Sequence, residues 1–221
     1  MRTLTPTIQN YLKAIYILSG GTNEASTSDL AAYLEIKPAS VTEMLQKLSV
    51  STKPLIAYKK HQGARLTPEG IRAALEILRH HRLLETYLVR ILGYTWDSVH
   101  EEACRLEHVI SEEFETRIAQ ILGEPTRDPH GAPIPSSELL LPAFRDVPLI
   151  NLSIGAQGII RHIQSKTPTT LRQLGMLGIM PGTPFTITTI NLKTKSIGLI
   201  LSNKTVTVTE HIAHCVQVEI V

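Results

Sequence analysis

Residues 26–49 read STSDLAAYLEIKPASVTEMLQKLS, and their punctuation decides the architecture of the first third of the chain. Ser26-Thr27-Ser28-Asp29 is a run of capping residues, which opens a short helix over residues 30–34 that ends near Ile36. Pro38 suits the first turn of a further helix, residues 38–49, with Val41, Met44, Leu45 and Leu48 on its apolar face. Upstream, Ile8, Tyr11, Leu12, Ile15 and Leu18 keep helical spacing up to a stop at Gly20-Gly21. Downstream, residues 55–67 (LIAYKKHQGARLT) are two short β-prone runs joined by a polar turn at His61-Gln62-Gly63. Helix, short helix, helix and basic hairpin is the order of a winged helix-turn-helix over residues 1–70.

The chain has 221 residues, enough for one to two domains at about 150 residues each and for a core that needs no disulfide or metal staple. With 43% hydrophobic and 19% charged residues it is not a disordered chain. No apolar run approaches the roughly 20 residues that span a bilayer, and the first residues lack the pattern of a signal peptide. Two cysteines, Cys104 and Cys215, are too few for a disulfide framework, so a cytoplasmic location and no membrane partner are expected. The net charge of +2 conceals a division: +3 over residues 1–70, −5 over 71–146 and +4 over 147–221. Five of the nine histidines (His80, His81, His100, His108 and His130) fall in the acidic middle. Carboxylates, imidazoles and a thiol in one segment point to divalent cations, and the basic ends point to anions.

Thr67-Pro68-Glu69 opens a long helix that stops at Gly93, followed by a helix over residues 96–110 that runs into a third, stopping at Gly123. Leu75, Leu78, Leu83, Leu84, Leu88 and Ile91 exceed what one helix needs for its own core, so residues 71–124 are expected to form a helical metal-binding and dimerisation domain. Residues 125–150 hold Pro125, Pro129, Pro133, Pro135, Pro142 and Pro148 and read as a linker. Residues 151–221 contain five short runs rich in β-branched residues, which predict a small SH3-like β-barrel. The fold class is therefore α+β.

The densest chemistry is His100-Glu101-Glu102-Ala103-Cys104-Arg105-Leu106-Glu107-His108. On a helix, positions 100, 104, 107 and 108 share one face, and all four side chains ligate transition metals. His81 and Glu85 form a second pair at i, i+4 on the preceding helix. If the two helices pack antiparallel, His100 completes a site with His81 and Glu85, while Cys104, Glu107 and His108 form another that needs a ligand from elsewhere. A zinc metallohydrolase is the competing enzymatic reading: His100-Glu101 begins like the H-E-x-x-H helix, with Cys104 in place of the second histidine. No substrate-binding element, Gly-rich phosphate loop or nucleophile motif accompanies it, so no catalytic residue and no small organic substrate are expected. A metal-independent winged-helix regulator with another effector is the second alternative.

In the basic head, Thr27 and Ser28 stand at a helix start where backbone N–H groups meet phosphate. Lys37, Ser40, Thr42, Glu43 and Lys47 lie on or beside the exposed face of the helix at 38–49, and Lys59, Lys60, His61 and Arg65 line the wing. The expected partner is double-stranded operator DNA.

These stretches resemble the diphtheria-toxin-repressor family of metal-dependent transcriptional regulators over nearly the whole chain. NYLKAIY (10–16), KPASVTEMLQKL (37–48), RHHRLLETYL (79–88), VHEEACRLEHVIS (99–111) and PHGAPIP (129–135) carry the resemblance, and TLRQLGMLGIMPGTPF (170–185) is similar to the domain of ferrous-iron transport accessory proteins. The resemblance implies a homodimer that binds palindromic operators when metallated and represses iron- or manganese-uptake genes. It implies a primary site of Asn10, Cys104, Glu107 and His108 and an ancillary site of His81, Glu85 and His100. DNA contacts would come from Thr7, Thr27, Ser28, Lys37, Ala39, Ser40, Thr42, Glu43 and Lys47. Three departures from the family pattern stand out. Asn10 stands where the iron branch has methionine and the manganese branch aspartate. Lys13 and Cys104 stand where the manganese branch has carboxylates. Thr167 and Thr170 align with ligands that the iron branch's SH3-like domain supplies, so water is expected to complete the ancillary site. The softer thiolate favours Fe2+ over Mn2+, with Zn2+, Co2+ and Ni2+ as substitutes in vitro.

Overall fold

In a computed structural model, which describes residues 4–21, 23–50, 52–165, 167–202 and 204–220, the chain divides into two units. The first holds residues up to 81 with 107–110 and 135–140; the second holds residues 82–106, 111–134 and 141 onward.

In the first unit, helix α1 (Pro6–Ser19) is capped by Thr5 and ends at Gly20, which takes the left-handed conformation. Helix α2 (Thr27–Leu34) begins three residues before the expected start, because Ser26 is itself the cap and accepts from Asp29 N–H at 3.0 Å. Helix α3 (Pro38–Ser49) has the bounds its proline and apolar spacing predict. Strands β1 (Ile56–Lys59) and β2 (Gly63–Leu66) form the hairpin, in register from Ile56↔Leu66 to Lys59↔Gly63. Ala25 pairs with Ala64 beside it, so closely that a Cβ at Gly63 would lie 2.5 Å from the Ala25 oxygen. Leu12, Ile15, Leu30, Val41, Leu45 and Ile56 fill the core between helices and hairpin. Leu18, expected on the apolar face of α1, is 37% exposed.

Helix α4 (Pro68–Arg90) runs from the first unit into the second; α5 (Val99–Leu106) and α6 (Glu112–Ile121) follow. Helix α5 stops short of the expected 96–110: Glu107 and His108 lie in the turn beyond it, where the Glu107 main-chain oxygen accepts from His80 Nδ1 at 3.1 Å instead of closing another helical turn. Leu75, Leu78, Leu83, Leu84 and Leu88, read as surplus apolar residues, are buried within the chain. The large apolar residues left to solvent on this stretch include Ile91, Leu92, Val109, Phe114 and Ile121.

The second unit contains a six-stranded antiparallel sheet of β3 (Val147–Pro148), β4 (Gln157–Ile163), β5 (Pro184–Asn191), β6 (Ser196–Leu201), β7 (Lys204–Thr209) and β8 (Val216–Ile220), ordered β3-β8-β4-β5-β6-β7. The five expected strands are present, and the described strands leave the sheet open at β3 and β7. Asn203 and Val221, at the ends of two expected strands, lie outside the described residues. Helices α7 (Pro168–Leu177) and α8 (Glu210–Cys215), which strand periodicity did not announce, contribute Leu171, Leu174, Ile212 and Ala213 to the core on the sheet.

The proline-rich segment is built in rather than loose. Asp128, His130, Ala132 and Ile134 are buried, Ile163 N–H donates to the His130 oxygen at 2.8 Å, and a Cβ at Gly131 would collide with the Arg161 oxygen. Its prolines remove backbone donors, and the Asp128 carboxylate takes two of those that remain, His130 N–H at 2.8 Å and Ala132 N–H at 2.9 Å. No helix among the described residues is long and apolar enough to cross a membrane.

Candidate metal centre and nucleic-acid interface

Glu107 is the focus of the first unit. Its side chain is wholly buried, yet three groups reach its carboxylate: Lys13 Nζ contacts Oε1, His81 Nδ1 lies 2.6 Å from Oε2, and His108 Nε2 lies 3.3 Å from Oε1. Burial works to raise this carboxyl, but the His81 hydrogen bond and charge, with Lys13, outweigh it and hold it below its usual value. His108 is anchored from α1: its Nδ1 lies 2.7 Å from Gln9 Oε1. An amide oxygen accepts, so Nδ1 donates to Gln9 and leaves Nε2 facing Glu107. Burial holds His108 below its usual value, which keeps the imidazole neutral, as a metal ligand must be.

The second unit gathers another set. Glu85 on α4 is buried and meets His100 Nδ1 at 3.0 Å and His130 Nδ1 at 3.4 Å through its two oxygens. Ligand atoms of Glu85, Asp128 and His130 all lie within 4.8 Å of one another, a spacing that one cation can bridge. His130 Nε2 donates to the Trp96 main-chain oxygen at 2.7 Å, which aims Nδ1 at the carboxylates. Burial and the Glu85 charge push the Asp128 carboxyl up to about 6; against burial, the Glu85 hydrogen bond and charge with Asp128 push His130 up to about 9. Arg82 stands 3.9 Å from Asp128. Cys104 is half-buried with Sγ 3.6 Å from His100 Nε2.

Of the expected ligands, His108 and Glu107 come together, as do Glu85 and His100. His81 also reaches a primary ligand, with Nδ1 2.6 Å from Glu107 Oε2. Asn10 is half-buried on α1, where the contacts to Glu107 and His108 come from Lys13 and Gln9. Asp128 and His130 were not read as ligands, because a pair two apart in an irregular, proline-rich stretch has no periodicity to betray a shared face. The other two members of the Glu85 cluster, Asp128 and His130, come from the segment before β3.

Elsewhere in the first unit, Lys37, Ala39, Ser40, Glu43 and Lys47 are exposed along α3, and Thr42 is half-buried with its hydroxyl donating to the Pro38 oxygen at 3.0 Å. Thr7 is exposed at the start of α1. Between α2, α3 and the wing runs a cleft of about 330 Å³ lined by Ser26, Thr27, Ser28, Thr42, Lys60 and His61 among others. Lys59, Lys60 and Arg65 are exposed on the hairpin. Hydroxyls, free N–H groups of a helix start and cations around one cleft form a surface for a phosphate backbone.

Comparison with known proteins assigns all three segments. Residues 3–64 match the iron dependent repressor N-terminal DNA binding domain, residues 67–136 the iron dependent repressor metal binding and dimerisation domain, and residues 147–220 the FeoA domain. The chain is 30% identical to the iron-dependent repressor IdeR of Mycobacterium tuberculosis, across 99% of both proteins. Its fold is similar to that of a manganese-dependent transcriptional repressor solved in complex with manganese, with a TM-score of 0.88 and 33% identity over 97% of this chain and 100% of that one. It is also similar to ScaR with bound Zn2+, with a TM-score of 0.82 and 30% identity over 97% of this chain and 99% of that one.

Proposed function

The chain belongs to the iron-dependent repressor family of metal-dependent transcriptional repressors, and from that premise we propose that it represses iron- or manganese-uptake genes with a divalent cation as corepressor. The observation that carries this reading is the buried Glu107 carboxylate, with His81 and His108 turned toward it. Buried carboxylates are stable only when paired, and two imidazoles with a carboxylate form a transition-metal donor set. We assign Asn10, Cys104, Glu107 and His108 to a primary site and His81, Glu85 and His100 to an ancillary one, which Asp128 and His130 extend. A thiolate donor from Cys104 favours Fe2+ over Mn2+, and Zn2+, Co2+ and Ni2+ substitute in vitro.

When bound, the cation supplies the charge that these donors share. The chain's own residues convert that into DNA binding. Gln9 holds His108 to α1, and α1 shares its core with α2, α3 and the wing, so fixing α1 at Glu107 fixes the elements that face DNA. Two copies paired through the exposed apolar residues of the dimerisation domain would set their α3 helices to successive major grooves of a palindromic operator. A ligand held better by the DNA-competent conformation raises operator affinity by that difference. We assign no catalytic residue, and we place the protein in the cytoplasm.

The test is a gel shift on the chain's own upstream region with Fe2+, Mn2+, Zn2+ or Co2+, with and without chelator. Metal-dependent binding that His108→Ala and Glu107→Ala abolish while the dimer persists supports the reading. Binding indifferent to chelator returns the protein to the metal-independent regulators.

A further inference from the structure

Lys13 is out of place by composition. It sits on α1 between Leu12 and Ala14, both wholly buried, and is itself only 6% exposed. A buried ammonium persists only beside a counter-charge, and Glu107 is that counter-charge: Nζ contacts Oε1, 94 residues away in sequence. The same oxygen faces His108 Nε2 at 3.3 Å, and the other is engaged by His81. Glu107 therefore already holds one full positive charge on the oxygen nearest His108, where a divalent ion between these two ligands would sit.

We propose that Lys13 sets the metal threshold of this protein: it is a resident cation on Glu107 that a divalent ion must displace or tolerate. The proposal rests on the reading of Glu107 and His108 as metal ligands. A divalent ion entering beside Lys13 meets a fixed like charge in a poorly solvated site and finds only part of the Glu107 charge available. Removing that charge strengthens binding; keeping it in another shape does not. The site then fills only when free metal is abundant, which suits a sensor that should stay empty at ordinary supply. A merely structural ion pair predicts otherwise, since its loss would lower stability and leave metal affinity where it was.

Co2+ binding to the full chain, measured by isothermal titration calorimetry in a His130→Ala background that weakens the second cluster, decides between these. Lys13→Met keeps the unbranched length without the charge and should bind Co2+ at least about tenfold more tightly, whereas Lys13→Arg should stay within a few-fold of the parent. Lys13→Gln is the second neutral variant, should Lys13→Met fail to fold by circular dichroism. Equal or weaker Co2+ binding in the neutral variants overturns the proposal and leaves the metal reading standing. No Co2+ binding in the parent or any variant overturns both.

Discussion

His130 and Glu85 face one another across 3.4 Å, Nδ1 to Oε2, while the other ring nitrogen of His130 is committed to the Trp96 main-chain oxygen at 2.7 Å. Trp96 also tilts its ring over that imidazole, with centroids 5.8 Å apart, and is the only tryptophan in the sequence. A cation held by Glu85, Asp128 and His130 would replace the imidazolium charge beside the indole, so Trp96 emission should follow zinc titration of the full chain to saturation. His130→Ala should abolish that response, and should weaken zinc binding at this cluster by about 10–100-fold or more. Emission that ignores zinc in the parent, or follows it equally in the variant, would remove His130 from the ligand set.

Asn10 offers a neutral amide oxygen where a carboxylate would supply charge and hardness. Asn10→Asp should lower the Mn2+ concentration needed for half-maximal operator binding by about tenfold and change the Zn2+ requirement much less, since hard carboxylates favour Mn2+. Identical activation profiles for the two metals would take this residue out of the primary site.

Much of this was legible in the chain, and what was not has identifiable causes. Helix α3 was bounded by Pro38 and by an apolar stripe that local spacing reveals, and the hairpin by its polar turn. The end of α5 at Leu106 was not, and the His80 contact to the Glu107 carbonyl just beyond it comes from another helix, which no local spacing announces. Lys13 could be read as a departure from a family pattern, but its partner lies 94 residues away and no pattern links them. Asp128 and His130 act from a segment whose prolines read as linker, whereas its polar groups are what pin it down.

The DNA face separates positioning from reading. Lys60 lines the cleft beside Thr27 and Ser28; on the proposal that it meets phosphate there, Lys60→Ala should weaken binding to specific and non-specific DNA alike and reduce the slope of log K against log salt by about 1. Ser40 is exposed on α3; on the proposal that it meets a base edge, Ser40→Ala should cost about 0.5–1.5 kcal/mol at particular operator positions with the slope unchanged. Equal salt slopes for the parent and Lys60→Ala would place Lys60 off the phosphates.

His162 on β4 makes the stability of the second unit fall in acid. Burial, reinforced by the charges of Arg82, Arg127 and His130, pushes its imidazole down to about 3. The unfolded chain takes up this proton near the ordinary histidine value of about 6.5, so between the two values the unfolded state binds more protons than the folded one. Stability from this residue is therefore complete above about pH 6.5 and lost progressively as pH falls toward 3, reaching about 2 kcal/mol by pH 5. His130 acts in the opposite sense: raised to about 9, it contributes stability that is full below about 6.5 and lost as pH rises through 9. His162→Gln cannot titrate, so its melting temperature should fall less than the parent's between pH 7.5 and pH 5 in chelator. Parallel curves for the two proteins would show that His162 is as free to protonate folded as unfolded.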